Sequence, residues 1–561
     1  MHKDFLMKNK LINFFALYFT LSLFSCGTLS YIPDFNGTNI TATDTSIVEI
    51  IDNLAEETDY YIQVTGKITN LTLENIYNAL ESCKANVFLD LENTTGLSYI
   101  QKAAFRECGS LVGIILPNSI TEIEEDAFFH CYNLKYINLP ESLTKIGPAA
   151  FYDTQLTSIT IPEGITTIRE RTFSSCSNLV TVNLPESLKS IQTSAFEFCH
   201  ELANINLPSN LVSIGSVAFW ECEKLKSITI PENVTVISDR AFYMCTGLKT
   251  INIPNNLKNI NSSAFRGCKN LTNIKISKNH PKYVISEDGK MILNKEKNTL
   301  LSYPSATGDI ELPKYITTIN SDAFANSNIK SISLSDSVTT IGNYVFSGCE
   351  SLESVIFPEN VSSIGTNLFY DCTNLKNVIL PKNITKITNR MFYDCENLSY
   401  ISLPDSITRI EEEAFNFCDK LDNVILPKNL TYIGHYAFAH TNINSIVIPE
   451  GVTSIEINTF SSCKNLVSVS LPETITAIGQ SAFFLCEQLQ TITIPSNITC
   501  IEPDAFYKCE NLTSVTFENP TSWYITEDKN ETQGSEIDVT NASDNAIRLK
   551  KKYSDYYWYQ K

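Results

Sequence analysis

The sequence predicts a repeat solenoid of the α/β type, an arc of strands stacked in parallel with irregular or short helical returns. Three observations predict this fold. The chain has 561 residues, which is too many for one ordinary hydrophobic core. A phenylalanine recurs at a nearly constant interval, and within each interval the spacing of apolar residues changes from two to three or four.

Marker phenylalanines divide the chain into units. Outside one gap of 59 residues, every step between them is 22 or 23 residues. The markers are Phe105, Phe128, Phe151, Phe173, Phe196, Phe219, Phe242, Phe265, Phe324, Phe346, Phe369, Phe392, Phe415, Phe438, Phe460, Phe483 and Phe506. A fixed period of this length indicates stacked repeats rather than a set of independent globular domains.

One unit, from Phe196 to Phe219, illustrates the pattern. Ile205 and Leu207 are spaced by two, which predicts a short strand with one buried face. Pro208 ends that strand, because proline cannot donate to a sheet ladder. The apolar residues that follow are spaced by three and four, which predicts an irregular return with a short helical turn.

A single unit is too small to fold alone. It buries about six apolar side chains, each worth roughly 1.5–3 kcal/mol. Ordering its residues costs on the order of 1.5 kcal/mol each. Each unit is therefore expected to be stable only when stacked on its neighbours.

The repeat, F-x-x-C-x-x-L-x-x-I-x-L-P-x-x-L-x-x-I-x-x-x-A, resembles the BspA-type leucine-rich repeats of bacterial surface proteins. The resemblance covers about Leu97 to Thr526, in a first block of residues 97–276 and a second of residues 310–526. It implies a leucine-rich-repeat horseshoe or arc with a parallel β-sheet on its concave face. It also implies binding of other proteins through that face, and adhesion to host matrix proteins or to other cells.

Cysteines follow the same register. Fourteen of the seventeen lie three residues after a marker phenylalanine, as Cys199, Cys222 and Cys245 do. One cysteine per turn predicts a buried column beside the phenylalanine column, in which the thiols act as small apolar groups. We favour reduced packing thiols, and a disulfide framework is the alternative for an exported chain. The predicted structural ladder includes Phe105, Phe128, Phe196, Phe219, Phe242, Cys199, Cys222 and Cys245.

Three units lack this cysteine and are also one residue shorter. They carry Thr154, Ser327 and Thr441 in its place. We expect the inward thiol to need the wider turn, and the hydroxyl of the shorter turn to bond local backbone groups.

The ends and the gap have separate predicted roles. Residues 49–96 read as a strand–helix–strand cap for the exposed end of the core, and residues 277–309 as an inserted β-meander. Residues 527–561 read as a linker and an aromatic C-terminal cap, with a binding patch as the alternative.

The N-terminal residues are typical of a processing segment. Three lysines precede an apolar stretch from Leu11 to Ser25, which predicts a signal peptide over residues 1–25. The end of this stretch and the next residue, Leu23–Cys26, resemble a bacterial lipobox. This resemblance implies a lipid anchor on Cys26 and a spacer over residues 26–48. An ordinary secretory signal that ends near a cysteine is the alternative.

Composition and motifs argue against catalysis. The net charge of −20 disfavours nucleic acid as a partner. No phosphate loop, nucleophile elbow or zinc-protease motif occurs, and the cysteines form no C-x-x-C cluster. We therefore predict no catalytic site, no cofactor and no metal site. A polysaccharide or peptide hydrolase is the alternative that these observations disfavour.

The strand residues that lie between core positions distinguish the two blocks. In the first block they are mostly polar, whereas the second block has Ile356, Ile379, Ile425 and Val447, interrupted by Ser402, with Tyr400 nearby. An exposed apolar stripe of this kind suits protein binding. The alternative is strand propensity without function, because isoleucine and valine favour strands anyway.

Two functions follow. The first is a lipid-anchored protein at the outer surface of a bacterial envelope, which binds host matrix or other cells through that stripe. The second is a structural scaffold of the envelope that has no host ligand.

Overall fold

The computed structural model describes residues 37–528 and 534–560, so the predicted signal peptide and Cys26 lie outside the described residues. The predicted parallel-strand solenoid is confirmed. Most repeats contribute two strands, one of two to six residues before the position that proline usually occupies and one, nearly always of two residues, after it. We call them the long and the short strands, and each kind stacks in parallel on its equivalents.

The long strands follow one another at the repeat period. In the first block they are Leu111–Ile115, Tyr136–Ile137, Ser158–Thr160, Thr181–Asn183, Asn204–Ile205, Ser227–Thr229, Thr250–Ile253 and Asn273–Ile276. In the second block they are Thr307–Glu311, Asn328–Ser333, Ser354–Ile356, Asn377–Ile379, Ser445–Val447, Ser468–Ser470, Thr491–Ile494 and Ser514–Phe517. Between Asn377–Ile379 and Ser445–Val447, no long strand forms. Tyr400 and Asn423 make an isolated parallel bridge there, which keeps the register.

The short strands form a second set of parallel ladders. They are Tyr99–Ile100, Glu122–Ile123, Lys145–Ile146, Thr167–Ile168, Ser190–Ile191, Ser213–Ile214, Val236–Ile237, Asn259–Ile260, Thr299–Ser302, Thr318–Ile319, Thr340–Ile341, Ser363–Ile364, Lys386–Ile387, Arg409–Ile410, Tyr432–Ile433, Ser454–Ile455, Ala477–Ile478 and Cys500–Ile501. The prediction of a helical turn in each return is wrong, since residues 97–526, all of them described, contain no helix.

Turns that contain residues with positive φ replace the predicted helical turn. The second residue before and the second residue after nearly every marker phenylalanine have positive φ, as at Ser194 (57°) and Phe198 (58°). Such residues leave the right-handed helical region, so the chain turns without winding into a helix. The backbone N–H of every marker except Phe265 and Phe506 donates to the next turn, as from Phe196 to the carbonyl of Ala218 at 2.9 Å. These bonds between turns hold the strained conformation in place.

The phenylalanine column is continuous within each block. The ring of Phe219 lies 5.5 Å from the rings of Phe196 and Phe242, with interplanar angles of 9° and 1°. All three side chains are fully buried. The column therefore joins successive repeats through one stack of apolar rings.

The cysteine column has a second role that the sequence did not indicate. The thiol of Cys199 donates to the carbonyl of Phe173 in the preceding turn at 3.1 Å, and Cys222 donates to Phe196 at 3.2 Å. The same bond recurs for all the repeat cysteines except Cys108 in the first turn. Each thiol thus links two turns, as well as filling space.

The hydroxyls of the short units behave differently from these thiols. Thr154 donates to the carbonyl of Phe151, and Thr441 to that of Phe438, each within its own turn. For these two units, the predicted bond to local backbone is confirmed. The hydroxyl of Ser327 lies 3.5 Å from the sulfur of Cys349.

Replacing Cys199 by threonine without shortening the turn is expected to destabilise the chain by about 0.5–1.5 kcal/mol, because the carbonyl of Phe173 loses its thiol donor and keeps only the N–H of Cys176. Deleting Glu201 in the same variant recreates the short turn and should restore part of this stability. Urea unfolding followed by circular dichroism measures both changes. Full stability of the long-turn variant would refute the account.

The N-terminal cap is larger than predicted. Strands Thr38–Thr43, Asp59–Lys67 and Asn86–Asp90 run parallel and continue into the long strand Leu111–Ile115, with a small strand Thr94–Thr95 beside the second. Helices Ile47–Asp52 and Asn70–Ser82 connect the three. The predicted spacer is wrong from residue 38 onward, because Thr38–Thr43 pairs over its whole length and buries Ala42.

The predicted insertion lies between the two blocks, and the column of marker side chains continues after it. Tyr283–Ile285, Ile292–Asn294 and Thr299–Ser302 form an antiparallel meander, whose last strand joins the short-strand ladder at Thr318–Ile319. Tyr303 donates its N–H to Ala323 and holds its ring 5.8 Å from that of Phe324, so it occupies the marker position of an incomplete repeat.

Arg266 fastens the joint between the blocks. Its guanidinium donates to the side chains of Asn326 at 2.6 Å and Ser347 at 2.9 Å, and it lies 3.4 Å from the Asp322 carboxylate. Because its side chain is largely buried, these bonds are shielded from water. The two blocks therefore meet through a polar clamp at the edge of the turns.

The C-terminal residues cover the last repeat. Strand Tyr557–Gln560 pairs antiparallel with Cys500–Ile501 and with Trp523–Thr526, which also pairs with Ser535–Glu536. Helix Ala542–Ile547 and the π-helical turn Arg548–Lys552 precede it. Trp523 and Trp558 are buried in the same core as the repeats. Among the described helices, none has the length and apolar character needed to cross a bilayer.

Candidate protein-binding surface

The five residues of the predicted apolar stripe are exposed on five successive turns. Ile356, Ile379 and Val447 lie in long strands, whereas Tyr400 forms the isolated bridge and Ile425 follows its partner Asn423. Ile356, Ile379, Ile425 and Val447 alternate with buried neighbours, as residues of extended chain do. Each of the five is more than half exposed, from 55% for Tyr400 to 73% for Ile425. We call this set the apolar strand face.

Parallel pairing brings these side chains together. Ile356 pairs directly with Ile379 on the next turn, and Tyr400 bridges Asn423. Val447 pairs with Ser470, where the polar character returns. Large apolar side chains exposed on successive turns form a patch, whereas single exposed residues are ordinary.

A groove crosses the middle of the apolar strand face. It has a volume of about 830 Å³, and its lining includes Ile379, Tyr400, Ser402, Lys382 and Asp405. Smaller grooves lie beside Ile356, at about 420 Å³, and between Ile425 and Val447, at about 350 Å³. The predicted residues therefore line one row of open depressions rather than a flat sheet.

The grooves also carry charged side chains that sequence analysis did not select. Lys382 lies 3.0 Å from Glu359, and its hydrogen bond lowers the pKa of that exposed carboxyl below the ordinary value. Lys428 lines the groove beside Ile425. The sequence does contain a signal for both lysines, since Val-Ile-Leu-Pro-Lys-Asn occurs at residues 378–383 and again at 424–429.

The first block has a different outer face. Asn183 donates to Thr160 at 3.1 Å and Asn252 donates to Thr229 at 2.8 Å, each across neighbouring strands. These amide and hydroxyl groups bond to each other along the ladder, so this face offers fewer free groups and little apolar area. The outer face of the first block is thus polar, whereas the apolar strand face occupies only the turns from Ile356 to Val447 of the second block.

The ladder residues lie elsewhere. Phe105, Phe128, Phe196, Phe219 and Phe242 are fully buried, and so are Cys199, Cys222 and Cys245. They support the strands from inside and cannot contact a partner. Burial also raises the pKa of the column thiols, to about 11 for Cys176 and to about 12 for Cys268, which keeps them protonated at neutral pH.

Comparison with known proteins identifies the repeat type. The chain matches the family described as the BspA type leucine rich repeat region, in six copies, over residues 98–222, 189–285, 302–422 and 431–529. These ranges cover more than half of the chain and confirm the predicted resemblance. No curated protein matches the chain.

Several solved structures are similar. A leucine rich cell surface protein from Faecalibacterium prausnitzii is 25% identical, with coverage of 71% of this chain and 83% of that one and a TM-score of 0.37. A leucine-rich repeat protein from Eubacterium ventriosum is 21% identical, with coverage of 79% and 88% and a TM-score of 0.34. Another from Bacteroides ovatus is 25% identical, with coverage of 77% and 84% and a TM-score of 0.29.

Proposed function

We propose, because this chain belongs to the BspA-type leucine-rich repeat family, that it binds a protein partner through the apolar strand face of its second block. The observation that carries this proposal is the row of Ile356, Ile379, Tyr400, Ile425 and Val447, exposed on successive turns and lined up along open grooves. Exposed apolar area of this kind is unfavourable in water and is stabilised when a partner covers it.

The composition of the face suits protein rather than nucleic acid. It combines apolar and aromatic side chains with lysine and acidic ones, and protein interfaces likewise combine apolar and polar groups. The chain as a whole carries a net charge of −20, which repels polyanions. The partner is therefore a protein that presents an apolar patch with a polar surround.

The second part of the proposal concerns the cellular location of the protein and the identity of its partner. The lipobox-like Leu23–Cys26 supports a lipid anchor on Cys26 at the outer surface of a bacterial cell, where the partner is a host matrix protein or the surface of another cell. Protease treatment of intact cells tests the location. Loss of the repeat region from treated cells supports the outer surface. Full protection points instead to an envelope scaffold.

The combined substitutions Ile379→Asp and Ile425→Asp are expected to weaken partner binding by about thirtyfold or more, because a carboxylate must be desolvated in an apolar contact. Both positions are exposed, so the midpoint of thermal unfolding should stay within about 2 °C of the parent. Binding is measured by surface plasmon resonance on host extracellular-matrix proteins, immobilised one at a time.

A matched control carries the same charge on the other block. Asn183→Asp and Asn252→Asp lie at the equivalent strand position in the first block and should leave binding within about twofold. Equal loss in both variants would show that added charge acts at long range. Unchanged binding of the Ile379→Asp and Ile425→Asp protein would remove the apolar strand face from the interface.

A further inference from the structure

Three side chains capable of binding a metal meet on two adjacent turns of the first block. His200, Glu221 and Glu223 bring a ring nitrogen and two carboxylate oxygens within 4.8 Å of one another. It is the single group of this kind that we find among residues 37–528 and 534–560. It lies outside the apolar strand face and does not depend on the function proposed above.

Stacking of the repeats creates the group. His200 is the fourth residue after Phe196, whereas Glu221 and Glu223 are the second and fourth after Phe219. The backbone N–H of Lys224 donates to the carbonyl of His200 at 3.1 Å, which fixes the two turns against each other. The positions of the three side chains are thus set by backbone hydrogen bonds within the solenoid.

The imidazole of His200 is oriented by a contact with the next turn. Its Nδ1 lies 3.2 Å from the backbone carbonyl of Glu221, so Nδ1 carries the proton and donates to that oxygen. The opposite nitrogen, Nε2, then keeps its lone pair available. Histidine ligands of metals in proteins commonly have this arrangement, because the second hydrogen bond selects the tautomer.

One of the carboxylates is oriented in a similar way. The indole Nε1–H of Trp220 donates to Glu221 Oε1 at 3.0 Å. A donor on one carboxylate oxygen holds the side chain in place and leaves its other oxygen for a cation. Two of the three groups therefore already have the outer contacts that orient metal ligands.

We propose that His200, Glu221 and Glu223 form a binding site for a divalent transition-metal ion, with Zn²⁺ as the ion that fits best. Imidazole favours zinc over calcium and magnesium, which prefer oxygen ligands alone. Two carboxylates neutralise the charge of the ion, and water or a group from a partner fills the fourth tetrahedral position. This proposal replaces the sequence-based expectation of no metal site, since ligands spaced by 21 and 2 residues match no linear metal motif.

The site should be tested with the full mature chain and Zn²⁺ alone, by isothermal titration calorimetry. We expect one zinc ion to bind per chain. His200→Ala and Glu223→Gln should each weaken this binding about a hundredfold, and Trp220→Phe, which removes only an outer donor, about tenfold to a hundredfold. Glu201→Gln removes a neighbouring exposed carboxylate outside the group and should leave the affinity unchanged.

Cobalt substitution separates this site from the thiols. Co²⁺ bound by His200 and the two carboxylates should give weak visible ligand-field bands and no sulfur-to-cobalt charge-transfer band. A strong charge-transfer band would place the metal on cysteine and overturn the proposal. The proposal would also be overturned if His200→Ala bound zinc as tightly as the parent. It would likewise fail if Glu201→Gln weakened zinc binding as much as the ligand substitutions do.

Discussion

Replacing Phe219 by alanine is expected to lower the free energy of unfolding by about 3–5 kcal/mol. The ring is fully buried and stacked at 5.5 Å on both of its neighbours in the column, so its removal leaves a cavity that rigid turns cannot close. Because each repeat contacts only its neighbours, the loss should be concentrated in the adjacent turns. Urea unfolding gives the free energy, and hydrogen exchange shows where protection is lost.

Phe198→Ala is the matched control. Phe198 is two residues from Phe196 in the same unit, but it lies on the outer side of the turn and is partly exposed. Its loss should cost less than about 1.5 kcal/mol, since little buried area disappears. Similar losses from Phe219→Ala and Phe198→Ala would mean that the column does not hold the repeats together.

The cysteine column makes the fold sensitive to alkali. Burial raises the pKa of the Cys199, Cys222 and Cys245 thiols well above the ordinary value of 9.0. The folded chain therefore favours the neutral thiol, while the unfolded chain ionises near pH 9. The stabilisation is complete below pH 9 and is lost as the pH rises from there toward the raised pKa of the folded state.

Substituting these three cysteines by serine should flatten this dependence. In that range each thiol contributes up to about 1.4 kcal/mol per pH unit, so the parent should lose up to about 4 kcal/mol more per unit than the triple variant. Urea unfolding of both proteins between pH 7 and pH 11 measures the two slopes. The tyrosines titrate equally in both proteins, so their contribution cancels in the difference between the two slopes. Parallel slopes would show that the thiols ionise freely in the folded chain.

The sequence predicted the interior well, because the interior repeats. Phe196 and Cys199 recur at the same interval as the turns, so a column of each follows from stacking alone, and both are fully buried. The outer positions of Ile379 and Ile425 followed from strand alternation. These features depend only on spacing, which is visible in one chain.

The returns could not be predicted in the same way. The three- and four-residue spacing of Leu211, Ile214 and Ala218 is typical of a helix, yet here it spans the short strand Ser213–Ile214 and a turn with a positive φ before Ala218. Val217, at a φ of 51°, is β-branched and gives no sign of a left-handed conformation. Hydrogen bonds from the neighbouring turn impose it, and those bonds exist only after stacking.

The remaining differences have related causes. Thr38–Thr43 is polar enough to read as a spacer, but it forms an edge strand because a paired partner follows in Asp59–Lys67. The lining of the groove beside Tyr400 includes Lys382 of the preceding turn. Contacts between residues about one repeat apart decide each case, and local sequence patterns do not report them.

The central claim is that the apolar strand face of the second block receives the protein partner. Photo-crosslinking tests it most directly, with a benzophenone amino acid placed singly at positions 379, 425, 183 and 252 of the full mature chain and the bound matrix protein present. The account predicts covalent adducts from positions 379 and 425 and none from 183 and 252. Adducts formed equally from all four positions, or only from 183 and 252, would contradict it.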